Sequence, residues 1–377
     1  MLHTYQKPLS GKRVGVVFGS FAPMHQGHLD LIMRAKKEND GGCIVIVCGY
    51  EGDKGEPLMP HNKRYRYVRE FFADDDLVAV YAINDTESMR PTYPNGWDSW
   101  MAEFNDIWKK AITLRGPYLL EPERVWYVGD KNYYDDLVNS LHETAVLVDR
   151  IADNPISATM IRQNPIKYWD KITTPFRRVF SHNILITGTA SEGKSTLVTD
   201  LGKYFNAPHS WEWPRDYMEE SAVSDWELDG ADFIAFLEGQ YALNKKLINS
   251  PANHGIFFAD SDSMTTRMYA EMYAKDPMFA LTEDEFEKIA DVADELAAKT
   301  RWDKIFLLAP HGVFVDDHSR YMGHSDMEER QKLFDILCAD IKRVGDWDKV
   351  TILNGNYYEN FMTIVTYVRE TIENGKN

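Results

Sequence analysis

The segment 183-NILITGTASEGKST-196 places an apolar run directly before a glycine-rich loop. Residues 183–187 predict a short buried strand, and residues 194–204 have the composition of an amphipathic helix. The loop between them, Gly188 to Ser195, satisfies the pattern G-x-x-x-x-G-K-[ST] in the strand–loop–helix context that the pattern requires. Backbone N–H groups of such a loop cradle the phosphates of a nucleotide. The segment therefore predicts a parallel α/β domain with a phosphate-binding loop.

Two side chains of this loop suit phosphoryl transfer. Lys194 is expected to reach the β- and γ-phosphate oxygens, and Ser195 to bind Mg²⁺. A second apolar run, Ile256 to Ala259, ends in Asp260, which could hold Mg²⁺ through water or take the proton of an attacking hydroxyl. The predicted ATP site comprises Gly188, Ser191, Glu192, Gly193, Lys194, Ser195 and Thr196, with Ser195 and Asp260 at the metal. The loop does not indicate which acceptor is phosphorylated.

The segment 211-WEWPRDY-217 follows the first helix after the loop, where many nucleoside kinases bind their acceptor. Its aromatic rings and carboxylates could hold a heterocycle and ribose hydroxyls, although structural aromatics with an ion pair would look the same. The candidate acceptor residues are Trp211, Glu212, Arg215, Asp216, Tyr217 and Asp260. Farther on, the cluster from Asp316 to Arg320, with Arg330, could form a lid that brings an arginine such as Arg320 to the ATP; the alternative is a solvated loop.

The segment 13-RVGVVFGSFAPMHQGH-28 repeats the strand–loop–helix arrangement in the first half of the chain. His25 and His28 are three residues apart at the start of a predicted helix, so they share one side of its first turn. Two imidazoles there could neutralise charge that develops on phosphate oxygens when a triphosphate is cleaved. A single histidine on such a loop is more often structural, but the whole pattern after an apolar strand favours a second nucleotide site.

Two further segments of the first half carry candidate residues. In 156-ISATMIR-162, Ser157 is a predicted helix N-cap that would present hydroxyl and N–H groups to phosphate, with Arg162 one turn later. The alternative is a plain cap and a surface charge. In 93-YPNGWDSW-100, a predicted loop, the two tryptophans could stack on a flat heterocycle or could equally be core aromatics.

Strand-like runs alternate with helix-length polar stretches along the whole chain, which is the pattern of parallel α/β sheets. The predicted strands are 13–18, 43–48, 77–83, 125–128, 145–148, 183–187, 256–259, 305–308 and 350–353, with a long helix at 283–299. The stretch 169–180 interrupts the pattern and contains Pro175. We therefore expect two consecutive domains, at 1–172 and 180–377.

Composition excludes several classes of protein. The chain has 377 residues, with 42 Lys+Arg against 59 Asp+Glu and a formal net charge of −17, which argues against a sequence-independent nucleic-acid binder. No apolar run approaches the length of a membrane span, so no membrane insertion is expected. Three cysteines without a C-x-x-C pair suit a reducing compartment, and the expected location is the cytoplasm. A homo-oligomer stays possible.

The first-half motifs resemble those of the nucleotidyltransferase superfamily, whose signatures are H-x-G-H and I-S-x-T-x-x-R. The order of the two halves resembles the bacterial bifunctional nicotinamide mononucleotide adenylyltransferase/ribosylnicotinamide kinases of the NadR type. This resemblance covers nearly the whole chain and includes Gly96-Trp97-Asp98, Trp211-Glu212 and Asp260. It implies a Rossmann-like adenylyltransferase domain followed by a P-loop kinase domain.

The resemblance also implies the chemistry. The second half would phosphorylate nicotinamide riboside with Mg·ATP, and the first would join the mononucleotide to a second ATP, giving NAD and pyrophosphate. Catalytic roles would fall to His25, His28, Lys194, Asp260 and Asp216. The adenylyltransferase nucleotide would contact Gly19, Ser20, Phe21, His25, His28, Ser157, Thr159 and Arg162. The mononucleotide would contact Trp97 and Asp98.

Some family members carry an N-terminal helix-turn-helix domain, and here the first motif begins within the first twenty residues, so we expect an enzyme that binds no nucleic acid. One alternative is a riboside kinase with a vestigial, nucleotide-sensing first half. Intact His25, His28, Ser157 and Arg162 argue against it. Another is a P-loop ATPase that drives motion, which would need a ring of subunits.

Overall fold

A computed structural model describes residues 6–50, 55–85, 91, 93–114, 116, 119–148, 155–311 and 326–373. The chain divides into two compact units, residues 1–180 and 181–377. Each unit contains one parallel sheet. The predicted fold class, two consecutive parallel-sheet α/β domains, is confirmed.

The first unit contains a five-stranded sheet of order β3-β2-β1-β4-β5. Its strands are β1 Arg13–Gly19, β2 Cys43–Tyr50, β3 Val78–Asp85, β4 Glu123–Val128 and β5 Thr144–Leu147. Its α-helices are α1 Gln26–Lys37, α2 His61–Phe71, α3 Trp97–Ala111, α4 Lys131–Asp135, α5 Ala158–Gln163 and α6 Thr174–Phe180. A π-helical turn, Asp136–Ser140, extends α4, and a 3₁₀ turn covers Trp169–Lys171.

Strand β2 shows why these apolar runs form a sheet that is covered on both faces. Val45 and Val47 belong to the hydrophobic cluster on one face of the sheet, whereas Ile44 and Ile46 belong to the cluster on the other. All four side chains are completely buried. A strand with helices on both sides must be apolar at every position, which is why the run does not alternate. Strands β1 and β4 pair in parallel, with Val16 opposite Trp126, so their carboxyl ends lie at the same edge of the sheet.

The second unit contains a four-stranded sheet of order β7-β6-β8-β9. Its strands are β6 His182–Gly188, β7 Ile256–Asp260, β8 Lys304–Leu308 and β9 Val350–Leu353. Its α-helices are α7 Lys194–Phe205, α8 Trp213–Ser221, α9 Gly230–Ile248, α10 Ser263–Lys275, α11 Glu283–Lys299, α12 Met327–Arg343 and α13 Tyr357–Val368. Short 3₁₀ turns cover Asp225–Glu227 and Trp347–Lys349, and a π-helical turn Arg369–Glu373 follows α13.

The register of this sheet places the predicted site residues side by side. Ile186 of β6 pairs with Asp260 of β7, and Gly188 pairs with Leu308 of β8. The carboxyl ends of parallel strands meet at one edge, where an α/β sheet binds its ligands. The glycine-rich loop and Asp260 therefore share that edge.

Candidate functional sites

The loop after β1 brings the two predicted histidines together. His25 is buried and caps α1: its Nδ1 accepts a hydrogen bond from the Gly27 amide at 3.2 Å. The ring of His28, one turn into the helix, lies 3.9 Å from the His25 ring between centroids. Phe21 is completely buried and packs edge-on against His28, with ring centroids 5.0 Å apart. The two imidazoles thus form one unit at the N-terminus of a helix, where anions are attracted.

The second first-half motif lies against this loop. Ser157 caps α5 and accepts a hydrogen bond from the Met160 amide at 3.2 Å. Arg162 donates one hydrogen bond to the carbonyl of Ala22 and another, of 3.1 Å, to Thr159 Oγ1. The structure therefore brings Arg162, predicted from a motif about 130 residues away, to the loop that carries the histidines.

A buried arginine that the sequence analysis missed supports the same loop. Arg64 on α2 is completely buried and donates hydrogen bonds to the carbonyls of Met59 at 2.9 Å, Cys48 at 3.0 Å and Ser20. A guanidinium with several fixed donors can tie loop carbonyls together in this way. No sequence signal distinguishes Arg64 from its neighbours Arg66 and Arg69.

A cavity of about 480 Å³ opens beside the histidine loop. Its lining includes Gly19, Ser20, His28, Trp97, Trp100 and Tyr133. The rings of Trp97 and Trp100 are stacked, with centroids 5.3 Å apart and planes 12° apart. The expected loop around them is wrong in one respect: both tryptophans belong to the first turn of α3, which begins directly after Gly96. Asp98, on the same turn, is exposed and is not among the described residues that line the cavity.

The phosphate-binding loop of the second unit depends on unusual backbone angles. Gly188, Ser191 and Gly193 have φ values of 151°, 61° and 79°. A Cβ atom at Gly188 would lie 2.8 Å from the carbonyl oxygen of Leu308, so only glycine fits the close approach of β6 to β8. Gly193, Ser195 and Thr196 are exposed. The loop thus offers backbone and hydroxyl groups to a ligand at the start of α7.

Lys194 is buried and held by carbonyl and carboxylate oxygens. Its Nζ donates a hydrogen bond to the Thr189 carbonyl at 2.8 Å and lies 3.4 Å from Glu212 Oε1. Arg215 reaches the other oxygen of the same carboxylate, with Nε 2.6 Å from Glu212 Oε2. Glu212 therefore lies between the lysine of the phosphate loop and the arginine of the predicted acceptor segment.

Asp260 ends β7 and is completely buried. Its amide donates a hydrogen bond to Ser210 Oγ at 3.3 Å. Among the described residues, neither carboxylate oxygen has a hydrogen-bond partner of normal geometry, although Ser195 is near enough to lower the pKa of this carboxyl. Burial first, and the charge of Glu212 second, raise the pKa of Asp260 to about 6 against the opposing effect of Lys194.

The neighbouring Asp262 has a different position. It caps α10 by accepting hydrogen bonds from the amides of Met264 and Thr265, and it also accepts one from Trp302 Nε1 at 3.1 Å. Burial raises the pKa of Asp262 to about 6. Since its oxygens are engaged by the helix and by Trp302, Asp260 is the carboxylate of this pair that remains for a ligand.

A cavity of about 540 Å³ begins at this edge. Its polar lining includes Glu212, Arg215, Ser261, Thr265 and Thr266, and its aromatic lining includes Trp226, Phe233, Phe236, Tyr269 and Tyr273. Glu212 and Arg215 are thus the predicted acceptor residues that line it within the described part of the chain. The sequence analysis missed the aromatic residues, because they come from three different elements outside the segment 211–217.

The other predicted acceptor residues bond elsewhere. Asp216 Oδ2 accepts a hydrogen bond of 2.5 Å from the indole of the exposed Trp211, and Tyr217 donates one of 2.7 Å to Asp232. These bonds place Trp211 and Asp216 together on α8 and its N-terminal flank, next to Glu212.

The structure describes only one of the two arginines named for the predicted lid. Arg320, with the cluster that begins at Asp316, lies outside the described residues. Arg330 does not belong to a lid: it lies in α12, is 1% exposed and forms an ion pair with Glu192. The side chain of Glu192 is itself buried, so this residue of the phosphate loop turns its carboxylate inward.

Membrane-spanning helices and clusters of metal-binding side chains are both absent from the part of the chain that the structure describes. No helix there is long and apolar enough to cross a membrane. No group of three or more His, Cys, Asp and Glu side chains that could hold a metal ion was found in the same residues.

Two family models match the chain, one on each half. A cytidylyltransferase-like model matches residues 16–164, and an AAA domain model matches residues 183–359. The first contains both histidines and Arg162, and the second contains the phosphate loop and Asp260. Both matches agree with the sites described above.

Relatives of known function extend over nearly the whole chain. It is 29% identical to the Trifunctional NAD biosynthesis/regulator protein NadR of Escherichia coli (strain K12), over 96% of this chain and 84% of that protein. Among solved structures it is similar to a NadR protein in complex with NR (TM-score 0.81, 33% identity, covering 96% of this chain and 97% of that one). It is equally similar to a NadR protein in complex with NAD and AMP-PNP (TM-score 0.81, 33% identity, 97% and 98% covered).

A second full-length match completes the comparison. The NadR protein of Salmonella typhimurium (strain LT2) is 30% identical over 96% of this chain and 84% of its own length. With this level of identity over both units, and with both nucleotide loops in place, the chain belongs to the NadR family.

Proposed function

We propose that this chain phosphorylates nicotinamide riboside with Mg·ATP in its second unit and joins the resulting mononucleotide to ATP in its first, releasing NAD and pyrophosphate. The observation that carries the proposal is that each unit has its own phosphate-binding loop and its own cavity. NadR relatives bind NR in one crystal structure, and NAD with AMP-PNP in another. We also infer a cytoplasmic location, where these nucleotides are made and used.

In the kinase unit, the riboside would enter the 540 Å³ cavity with its heterocycle among the aromatic side chains. Its 5′-hydroxyl would lie at the polar end, near Glu212 and Asp260. We assign Asp260 the role of accepting the hydroxyl proton or of joining the metal shell, because its carboxylate oxygens have no hydrogen-bond partner of normal geometry among the described residues. Asp216 would act indirectly, by orienting Trp211.

The residues at this edge fit a magnesium ion. Ser195 and Asp260 supply the hard oxygen atoms that Mg²⁺ prefers, and the ion would neutralise charge on the β- and γ-phosphates. Lys194 would exchange its contact with Glu212 for the phosphate oxygens. Glu212 would keep its ion pair with Arg215 and orient the ribose hydroxyls of the acceptor. Catalysis of this kind depends on positioning and electrostatics rather than on a covalent intermediate.

In the adenylyltransferase unit, the phosphate of the mononucleotide would attack the α-phosphorus of ATP, and pyrophosphate would leave. His25 and His28 would neutralise charge on the phosphate oxygens, with Arg162, Ser157 and Thr159 completing the anion site. The loop residues Gly19, Ser20 and Phe21 would shape the approach to the triphosphate. We propose that Trp97 stacks on the nicotinamide ring, and Asp98, on the same turn of α3, stays a predicted contact of the mononucleotide.

The decisive experiment supplies the purified protein with nicotinamide riboside and Mg·ATP and follows the products by mass over time. The mononucleotide should appear first and NAD should follow, with ADP and pyrophosphate as by-products. A second reaction starts from the mononucleotide and should yield NAD without a lag. Accumulation of the mononucleotide with no NAD in either reaction would instead support a kinase with a vestigial first half.

A further inference from the structure

Glu192 occupies the fourth variable position of the phosphate loop, and its carboxylate points into the protein. Its side chain has no exposed surface, and the loop residue Thr189 donates a hydrogen bond to Glu192 Oε1 at 3.2 Å. Gly193, Ser195 and Thr196, which come after it in the chain, are exposed. Glu192 therefore holds the loop from its inner side rather than facing the ligand.

The partners of this carboxylate come from two distant parts of the chain. Arg330 on α12 forms a buried ion pair with Glu192 and also donates a hydrogen bond to the His311 carbonyl at 3.1 Å. The His311 amide donates to Glu192 Oε2 at 3.2 Å, and His311 Nδ1 lies 3.0 Å from the same oxygen. One carboxylate thus connects the phosphate loop to α12 and to the residues that follow β8.

A buried ion pair of this kind costs desolvation energy and is a poor source of stability, but breaking it from one side leaves an uncompensated charge. Such a network restricts the geometry of the groups that it joins. The loop geometry here requires positive φ at Ser191 and Gly193, on either side of Glu192. We propose that Glu192, held by Arg330, is a positioning residue of the kinase reaction, which keeps the phosphate loop in its ATP-binding shape before the nucleotide arrives.

This inference rests on the proposed kinase activity and makes a specific kinetic claim. Preorganisation of the loop acts on the donor nucleotide, so Glu192→Gln should raise the KM for ATP in riboside phosphorylation by about tenfold. The KM for nicotinamide riboside should stay within about twofold of the wild type. Arg330→Met should be more damaging, because it leaves a buried carboxylate without its guanidinium.

The double variant Glu192→Gln with Arg330→Met separates positioning from folding. Removing both charges restores neutrality, so the double variant should lose less ATP affinity than the Arg330→Met variant alone. A matched control is Arg267→Met, which breaks another largely buried ion pair of the same unit, Arg267 with Asp340 at 2.5 Å. It should lower the melting temperature without changing the KM for ATP.

Kinetics of the full-length variants decide the matter, with adenylyl transfer to supplied mononucleotide as the measure of enzyme concentration and the melting temperature as the measure of an intact second unit. A selective rise in the ATP KM for the Glu192 variant, absent in the Arg267 control, supports the inference. An unchanged ATP KM, or an equal rise in the control, overturns it while the kinase activity itself stands. If the wild type does not phosphorylate the riboside, the proposed function fails, and the inference fails with it.

Discussion

Replacing Asp260 by asparagine should stabilise the ligand-free second unit at neutral pH while impairing its catalysis. Asp260 is completely buried, and burial with the charge of Glu212 raises its pKa from an ordinary 3.8 to about 6. Between about pH 4 and pH 6 the folded protein therefore holds a proton that the unfolded chain has released. The contribution of this group to the free energy of unfolding falls as pH rises through that window and stays low above it.

The magnitude follows from the two pKa values. The interval from 3.8 to about 6 corresponds to about 3 kcal/mol, at roughly 1.4 kcal/mol for each pH unit. Asparagine is neutral at every pH, so its contribution to the free energy of unfolding does not fall as the pH rises. Relative to the wild type, the Asp260→Asn variant should gain about 2–3 kcal/mol between pH 4 and pH 8, because an unfolded aspartate has already released part of its proton at pH 4. Asp262 has a similarly raised pKa but is present in both proteins, so its contribution cancels.

Amide hydrogen exchange, measured without Mg²⁺ or ATP on peptides from β6, β7 and β8, reports the opening free energy of this unit alone. The same preparation should phosphorylate nicotinamide riboside about 10² times more slowly than the wild type. If the difference in opening free energy between the Asp260→Asn variant and the wild type is the same at pH 4 and at pH 8, the raised pKa of Asp260 is refuted. Wild-type turnover would leave Asp260 with a structural role only.

Other substitutions test the remaining assignments. His28→Ala should abolish NAD formation from the mononucleotide, because it removes a charge-stabilising group, while mass analysis shows riboside phosphorylation largely intact; a folded variant that lost both activities would contradict two separate sites. Lys194→Met should slow riboside phosphorylation by about 10²–10³ by deleting one preorganised charge, with NAD synthesis from the mononucleotide as its control. Trp97→Ala should raise the KM for the mononucleotide by about 5- to 150-fold, which corresponds to about 1–3 kcal/mol for a lost stacking contact, and an unchanged KM would make Trp97 a core residue. Glu212→Gln should lower the kinase rate, measured by ADP release, more than Asp216→Asn does. The reverse order would indicate that the acceptor binds near Trp211 and Asp216 instead of near Glu212.

The strands could be predicted from the sequence because the strands of a covered parallel sheet are continuous apolar runs. Residues covered on both faces are apolar at consecutive positions, as in Cys43 to Val47, and all nine predicted runs correspond to strands in the structure. The prediction of a loop over residues 93–100 is wrong, because α3 begins at Trp97. The turn-forming run Tyr93 to Gly96 suggests a longer loop than exists. The strand order was beyond the sequence, since it depends on which runs pair in space.

The candidate sites were predictable where a local motif carries them and not where distant elements meet. The glycine-rich loop and the pair of histidines are each recognised from about ten consecutive residues. The structure confirms that each lies between a strand and a helix. The inward carboxylate of Glu192 depends on Arg330, which is 138 residues away, and the loop carbonyls held by Arg64 come from three segments. Spacing in the sequence contains no information on such contacts, so these residues emerge only from the folded chain.

The pairing of Ile186 with Asp260 also determines where insertions and deletions can accumulate in evolution. One residue added inside β7 would shift Asp260 by about 3.3 Å and turn its side chain to the opposite face of the sheet. One residue added at 249–255, between α9 and β7, would leave this register unchanged. Length variation should therefore be tolerated just before the strand and eliminated within it, so two neighbouring stretches of a few residues face opposite selection.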